Sequence, residues 1–157
     1  MLDVKIHTDG GCSGNPGPGG WAFVITEAGT GSIIVEKWGG EKATTNNRME
    51  LMAAISALEY VRASVTHGVA YGKIAVYTDS QYVQKGMTSW IHGWKQKNWK
   101  NSAEEEVKNK DLWLRLDSLA SGFSVSWTWV QAHAGNELNE RADRMTQVAI
   151  RNLDRRG

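Results

Sequence analysis

Apolar and polar residues alternate at the start of the chain, where Val4, Ile6 and Thr8 are interleaved with Lys5, His7 and Asp9. A period of two predicts a half-buried strand ending at Asp9. Two further strand patterns, Trp21–Thr26 and Ser32–Trp38, flank the turn Glu27–Gly31, and the three read as an antiparallel meander. From Asn47 the period changes. Met49, Met52, Ala53, Ile55, Ala57, Leu58 and Val61 recur at helical spacing and predict a helix with one buried face. After a loop over Ser64–Gly72, the short apolar run Lys73–Thr78 predicts a central strand parallel to the first. Helices are predicted from Gln81 toward Gly86, over about Asp111–Ala120 and over about Glu137–Ile150, with a last strand at Ser124–Val130. Three strands followed by alternating helix and strand specify an α/β chain, a mixed sheet with helices packed on it.

Composition narrows the class. The 157 residues, 41% hydrophobic and 22% charged, fit one domain, with a core over about 4–150 and a polar tail at 151–157 expected to fray. A net charge of +1 demands no polyanionic partner, so nucleic-acid binding would need a local patch. Most of the eight tryptophans lie between Trp90 and Trp129, which favours a stacking or binding surface there. The one cysteine, Cys12, excludes an internal disulfide and a cysteine-based zinc site. No run reaches the length of a membrane span, and the N-terminus does not read as a signal peptide. The expectation is a cytoplasmic monomer with no membrane partner.

The stretch TDGGCSGNPGPGG places six glycines and both prolines directly after Asp9. Within it, Gly17–Ala22 matches a dinucleotide fingerprint, but the strand pattern WAFVIT follows where that fingerprint needs a helix. It reads as a glycine-rich connection between paired strands.

Five residues carry candidate chemistry. Asp9 and Asp79 each end a strand, and parallel neighbours would bring them to one sheet edge. Each has a plainer role available, Asp9 as a turn residue and Asp79 as a helix N-cap. Glu50 follows Asn47 by three, as in a capping box. Asp143 borders the apolar stripe Leu138, Ala142, Met145 and Ala149, and is otherwise a solvated acid. His133 lies in an unhindered connection, Gln131–Glu137, and is otherwise a surface histidine. Together, four carboxylates from two strand ends and two helices would form an oxygen-only cluster. Such crowded like charges require cations, and the ligand type suits Mg²⁺ or Mn²⁺. Two such ions about 4 Å apart suit phosphodiester hydrolysis.

TDGGCSGNPGPGGWA, TTNNRMELMAAISALE, YTDSQYV, VKNKDLW and HAGNELNERAD, in that order, closely resemble type 1 ribonuclease H, the bacterial ribonuclease HI family, from about Val4 to Ile150. The resemblance implies a ribonuclease H-like fold, a five-stranded mixed sheet with helices on both faces. It implies endonucleolytic hydrolysis of the RNA strand of RNA–DNA hybrids, leaving 5′-phosphate and 3′-hydroxyl ends, with two Mg²⁺ ions that Mn²⁺ could replace. It maps the metal-binding catalytic carboxylates onto Asp9, Glu50, Asp79 and Asp143, and a catalytic histidine onto His133. It maps contacts to 2′-hydroxyls onto Gly10, Gly11, Cys12, Ser13, Asn46, Glu50 and Gln81, and a DNA-phosphate pocket onto Asn15 and Thr45. Residues Lys85–Lys110 resemble a basic protrusion that grips DNA, with Trp90 in its groove and Lys95, Lys97 and Lys100 on phosphates. Trp94, Trp99 and Trp113 are expected to pack that protrusion together.

Three departures stand out: the acidic run Glu104–Glu106 in the protrusion, Ala132 where glycine is common, and a long segment ahead of Lys73. Rival readings are a hybrid-binding module that does not cut, another nuclease of the same fold, and a detached piece of a reverse transcriptase. The four carboxylates weigh against the first. Gly10-Gly11 after Asp9 weighs against an exonuclease carrying Asp-x-Glu. The single-domain length weighs against the third.

Overall fold

The structure is a computed structural model that describes residues 1–132 and 135–156, excluding the side chains of 154–156. Five strands form one mixed sheet: β1 (Leu2–Cys12), β2 (Gly17–Glu27), β3 (Ile33–Thr44), β4 (Tyr71–Thr78) and β5 (Ser124–Trp129), ordered β3-β2-β1-β4-β5. β1, β2 and β3 form the antiparallel meander; β4 joins β1 in parallel and β5 joins β4 in parallel. The helices are α1 (Asn46–Thr66), α2 (Gln81–Lys85), α3 (Ile91–Gln96), α4 (Lys110–Ala120) and α5 (Glu137–Arg156), with a π-helical turn at Gly86–Trp90 joining α2 to α3. Among the described residues no helix is long and apolar enough to cross a membrane.

One face of the sheet carries the main core. Ile6, Phe23, Ile25, Ile74 and Val76 pack there against Leu51, Ile55 and Leu58 of α1 and Trp113 and Leu116 of α4. The other face is covered by α5, where Ala22 and Val24 meet Ala142, with Leu138 and Met145 alongside. This second layer changes the character of β1. Its alternation predicts a half-buried strand, yet Ile6, His7, Thr8 and Asp9 are all buried because helices cover both faces.

The strands also run further than their patterns predict. β1 continues past Asp9 to Cys12, with Gly10, Gly11 and Cys12 opposite Trp21, Gly20 and Gly19. Most of the glycine-rich stretch is therefore strand, and only residues 13–16 turn the chain. α1 runs through Thr66 and β4 begins at Tyr71, so of the loop expected over Ser64–Gly72 only residues 67–70 remain as a connection.

Candidate active site

Three elements bring three carboxylates together. The parallel register pairs Thr8 with Thr78, so the next residues, Asp9 and Asp79, emerge side by side. Glu50 comes from the first turns of α1. A carboxylate oxygen from each of Asp9, Glu50 and Asp79 can be chosen so that all three lie within 4.8 Å of one another. Asp143, on α5, lies outside that trio but close enough to Asp9 to act on it electrostatically.

Glycines without side chains let the flanking helices come this close. A Cβ on Gly10 would lie 2.3 Å from the Met49 carbonyl carbon and 2.5 Å from the Glu50 nitrogen. A Cβ on Gly20 would lie 2.9 Å from the Thr146 oxygen. Gly10 thus seats α1, with Glu50, on one face of the strands, and Gly20 seats α5, with Asp143, on the other.

The plainer roles for the acids fall to their neighbours. Thr45 caps α1, its Oγ1 accepting from the Arg48 amide at 3.3 Å, so the capping box expected of Asn47 and Glu50 does not form. Ser80 caps α2, its Oγ accepting from the Val83 amide at 3.1 Å, which releases Asp79 from that task.

Electrostatics show the strain of this assembly. Burial, then the charge of Asp79, push the Asp9 carboxyl up to about 8, with Asp143 adding to the push. The buried Thr146 hydroxyl, able to donate to the carboxylate, eases Asp9 the other way. Burial, then Asp9 and Asp79, raise Glu50 well above the usual carboxylate range. Glu50 Oε1 is buried without a hydrogen-bond partner. Crowded carboxylates and an unpartnered buried oxygen fit a hard divalent cation, whose charge would replace the missing donor.

The residues expected to meet a substrate fall into two groups. Ser13, Asn15, Asn46 and Gln81 are exposed, and Thr45 is half-buried. Asn15 has its Oδ1 engaged by the Asn46 amide at 3.1 Å, which ties the β1–β2 turn to the start of α1. Gly10, Gly11 and Cys12 are strand residues, and the Cys12 thiol donates to the Gly14 carbonyl at 2.7 Å. Further out, Trp90, Trp94, Lys97 and Lys100 line a cavity of about 310 Å³ with Gly93, Asn101 and Ser102. Lys95 does not line it; its ammonium is paired with Asp117 at 2.9 Å. Trp94 packs on both Trp99 and Trp113, and Trp113 is fully buried, as expected of aromatic residues that hold the protrusion together. His133 lies outside the described residues.

Two contacts at the site have no sequence signal. Trp129, on edge strand β5, donates through Nε1 to the Asp79 carbonyl at 3.0 Å. Thr146 meets Asp9 across the sheet. Each joins residues far apart in the chain, and neither belongs to a motif.

A mixed α/β sheet with an all-oxygen carboxylate cluster drawn from β1, the end of β4 and the start of α1 defines a cation-site protein of nuclease type. Comparison with known proteins gives the family. The RNase H family profile matches residues 2–151. A ribonuclease H of Treponema denticola is 46% identical, with 97% of this chain and 99% of that protein aligned. A ribonuclease H of Aromatoleum aromaticum is 50% identical over 98% of this chain and 94% of that protein. LC9-RNase H1, a type 1 RNase H, superposes with a TM-score of 0.83 at 35% identity, covering 97% of this chain and 74% of that one. LC11-RNase H1, solved in complex with RNA/DNA hybrid, gives a TM-score of 0.74 at 27% identity, covering 96% and 98%. The chain belongs to the ribonuclease H family.

Proposed function

We propose that this protein is a metal-dependent endoribonuclease that hydrolyses the RNA strand of RNA–DNA hybrids, leaving 5′-phosphate and 3′-hydroxyl ends. One observation carries the reading: three mutually close carboxylates, two of them buried, with an unpartnered oxygen on Glu50. The near full-length similarity to ribonucleases H supports it, as does the hybrid bound to a structural relative.

Asp9, Glu50 and Asp79 would hold one divalent ion, and Asp9 with Asp143 a second, with Mg²⁺ the proposed metal and Mn²⁺ a substitute. Bound there, the ions supply an activated water and stabilise charge on the 3′-oxygen leaving group. Asp9 is central because it neighbours all three other acids. Thr146 and Trp129 brace Asp9 and Asp79 so that the carboxylates keep their places. His133 is assigned proton transfer or product release.

Selection of a hybrid needs one strand with 2′-hydroxyls and one that deforms like DNA. Gly10–Ser13, Asn46 and Gln81 are assigned to the RNA strand. Asn15 and Thr45 are assigned to a DNA phosphate; with the Asn15 oxygen taken by Asn46, its amide NH₂ is the free donor. Trp90 offers a face for the DNA strand, and Lys97 and Lys100 offer charge to its phosphates. The protein is proposed to act as a cytoplasmic monomer.

The test is an end-labelled RNA–DNA hybrid incubated with Mg²⁺ or with EDTA, beside DNA–DNA and RNA–RNA duplexes. Internal cuts in the RNA of the hybrid alone, abolished by EDTA, are expected. A hybrid that is bound but left whole in Mg²⁺ would overturn the reading.

A further inference from the structure

The start of α1 does two jobs. Glu50 joins the carboxylate trio, and Arg48, two residues earlier, reaches to the start of α4. Its Nη2 donates to Asp111 Oδ2 at 2.8 Å, and Nη1 to Asp111 Oδ1 at 3.0 Å and to Asn109 Oδ1 at 3.2 Å. This planar fork grips a carboxylate and an amide oxygen together, which a lysine cannot do.

Asn109 is left-handed, with φ of 61°, a conformation that asparagine adopts more readily than most residues, and its side chain is held at both ends. Arg48 holds one end of its side chain. The other end, Nδ2, donates to the Tyr82 hydroxyl at 3.1 Å, which also receives Trp113 Nε1 at 3.1 Å. The Tyr82 ring meets Trp113 at 5.1 Å between centroids and the exposed Trp90 at 5.8 Å. An unbroken set of contacts therefore runs from the helix that carries Glu50 to the wall of the Trp90–Lys100 cavity.

Stability does not explain the arrangement. The Arg48 and Asp111 side chains are 32% and 63% exposed, and ion pairs that open contribute little to folding. A fixed distance does explain it. A duplex is stiff, so two surfaces that touch it along its length must keep one spacing.

We propose that Arg48 is a positioning residue: it locks the root of α4 to the first turn of α1, setting the spacing between the carboxylate trio and the surface of Trp90, Lys97 and Lys100. The inference rests on the proposed hybrid substrate. It makes Arg48 matter for how the duplex is held while leaving the chemical step alone.

Steady-state cleavage of a hybrid by Arg48→Gln, Arg48→Lys, Asp111→Asn and the Arg48→Gln/Asp111→Asn double variant tests it. KM should rise about 3- to 10-fold in each single variant, Arg48→Lys least, with kcat within about twofold of the parent. Because both side chains serve one contact, the double variant should be no worse than the poorer single one. Binding of the same hybrid in EDTA, followed by fluorescence anisotropy, should weaken by a similar factor. That measurement separates two failures, since a parent protein that binds without cutting refutes the proposed activity and still tests Arg48. An unchanged KM and affinity would overturn the inference, as would a loss confined to kcat, or fully additive effects. If Arg48→Gln does not fold, the exposed Asp111→Asn carries the same test.

Discussion

The indole N–H of Trp129 donates to the backbone carbonyl of Asp79 at 3.0 Å, and so ties edge strand β5 to an acid of the cluster. The Ser80 amide, just beyond, donates to Thr78 Oγ1 at 3.0 Å. Asp79 is thus braced by its sequence neighbours and by a residue fifty positions away. Trp129→Phe keeps the ring and removes the donor. A single neutral hydrogen bond is worth about 1 kcal/mol, so kcat on a hybrid should fall about two- to fivefold with KM nearly unchanged. Steady-state kinetics at saturating Mg²⁺ would check this, and an unaltered kcat would remove Trp129 from any role at the site.

Asp9 links activity to stability. Its carboxyl ionises near 3.8 in ordinary surroundings and near 8 here, burial being the main cause. Between those values the folded protein holds a proton that the unfolded chain has released, so metal-free stability falls as pH rises from about 4 to about 8. Asp9→Asn removes that titration. The variant should lose cleavage and, in EDTA at pH 8, exceed the parent in stability by on the order of 3 kcal/mol, with little difference at pH 4. Urea unfolding at the two pH values provides the measurement. Near-normal cleavage by this variant would refute the catalytic assignment.

Metal should act on the same quantity from the opposite side. A cation that binds the folded cluster stabilises it by mass action. Mg²⁺ should raise the melting temperature of the parent at pH 8 and leave that of Asp9→Asn little changed. Thermal scans across a Mg²⁺ titration would show this, and equal shifts in both proteins would place the ion elsewhere.

Gly10 and Gly93 make a matched pair. A methyl on Gly10 would meet the backbone of Met49 and Glu50 at 2.3–2.5 Å, so α1 would have to move off the sheet. Gly10→Ala should cost about 3 kcal/mol, with weaker Mg²⁺ binding and little activity. Gly93, inside α3, has nothing within 4 Å of the point where a Cβ would stand, and Gly93→Ala should be neutral or stabilise by about 0.5–1 kcal/mol. Urea midpoints of the two variants measure the contrast.

The acidic run has a definite place. Glu106 pairs with Lys100 through a backbone bridge, and its carboxylate lies 3.9 Å from the Lys110 ammonium. Glu104 and Glu105 are exposed near the Lys97–Lys100 surface. Changing Glu104, Glu105 and Glu106 to Gln should lower KM about two- to fivefold at low salt, an advantage that shrinks as salt screens the charges. Hybrid binding no tighter than the parent's would count against a repulsive role.

Much of this architecture was legible residue by residue. The apolar run of β4 located Asp79 at a strand end, and the period-two run of β1 placed Asp9 on its strand, because both patterns are local consequences of backbone geometry. That β1 continues three residues past Asp9 had no such signal, since the glycines that follow carry no alternation. Cap positions were less legible. Thr45, Asn46 and Asn47 are all chemically able to begin a helix, and only the path of the chain out of β3 selects Thr45. The pairing of Lys95 with Asp117, on a different helix, likewise had no local signal.

By itself the sequence determined the order and type of most elements and the acids they carry, since periodicity and residue chemistry are properties of short segments; the short helix α3 had no such signal. Tertiary structure decided the rest. It made most of the glycine-rich stretch the paired ends of β1 and β2, pressed between α1 and α5, buried both faces of β1, and brought Thr146 and Trp129 to the acids. It also turned Arg48 toward α4. These are contacts between residues tens of positions apart, and they depend on strand register and on how closely helices approach the sheet, quantities that no short pattern encodes.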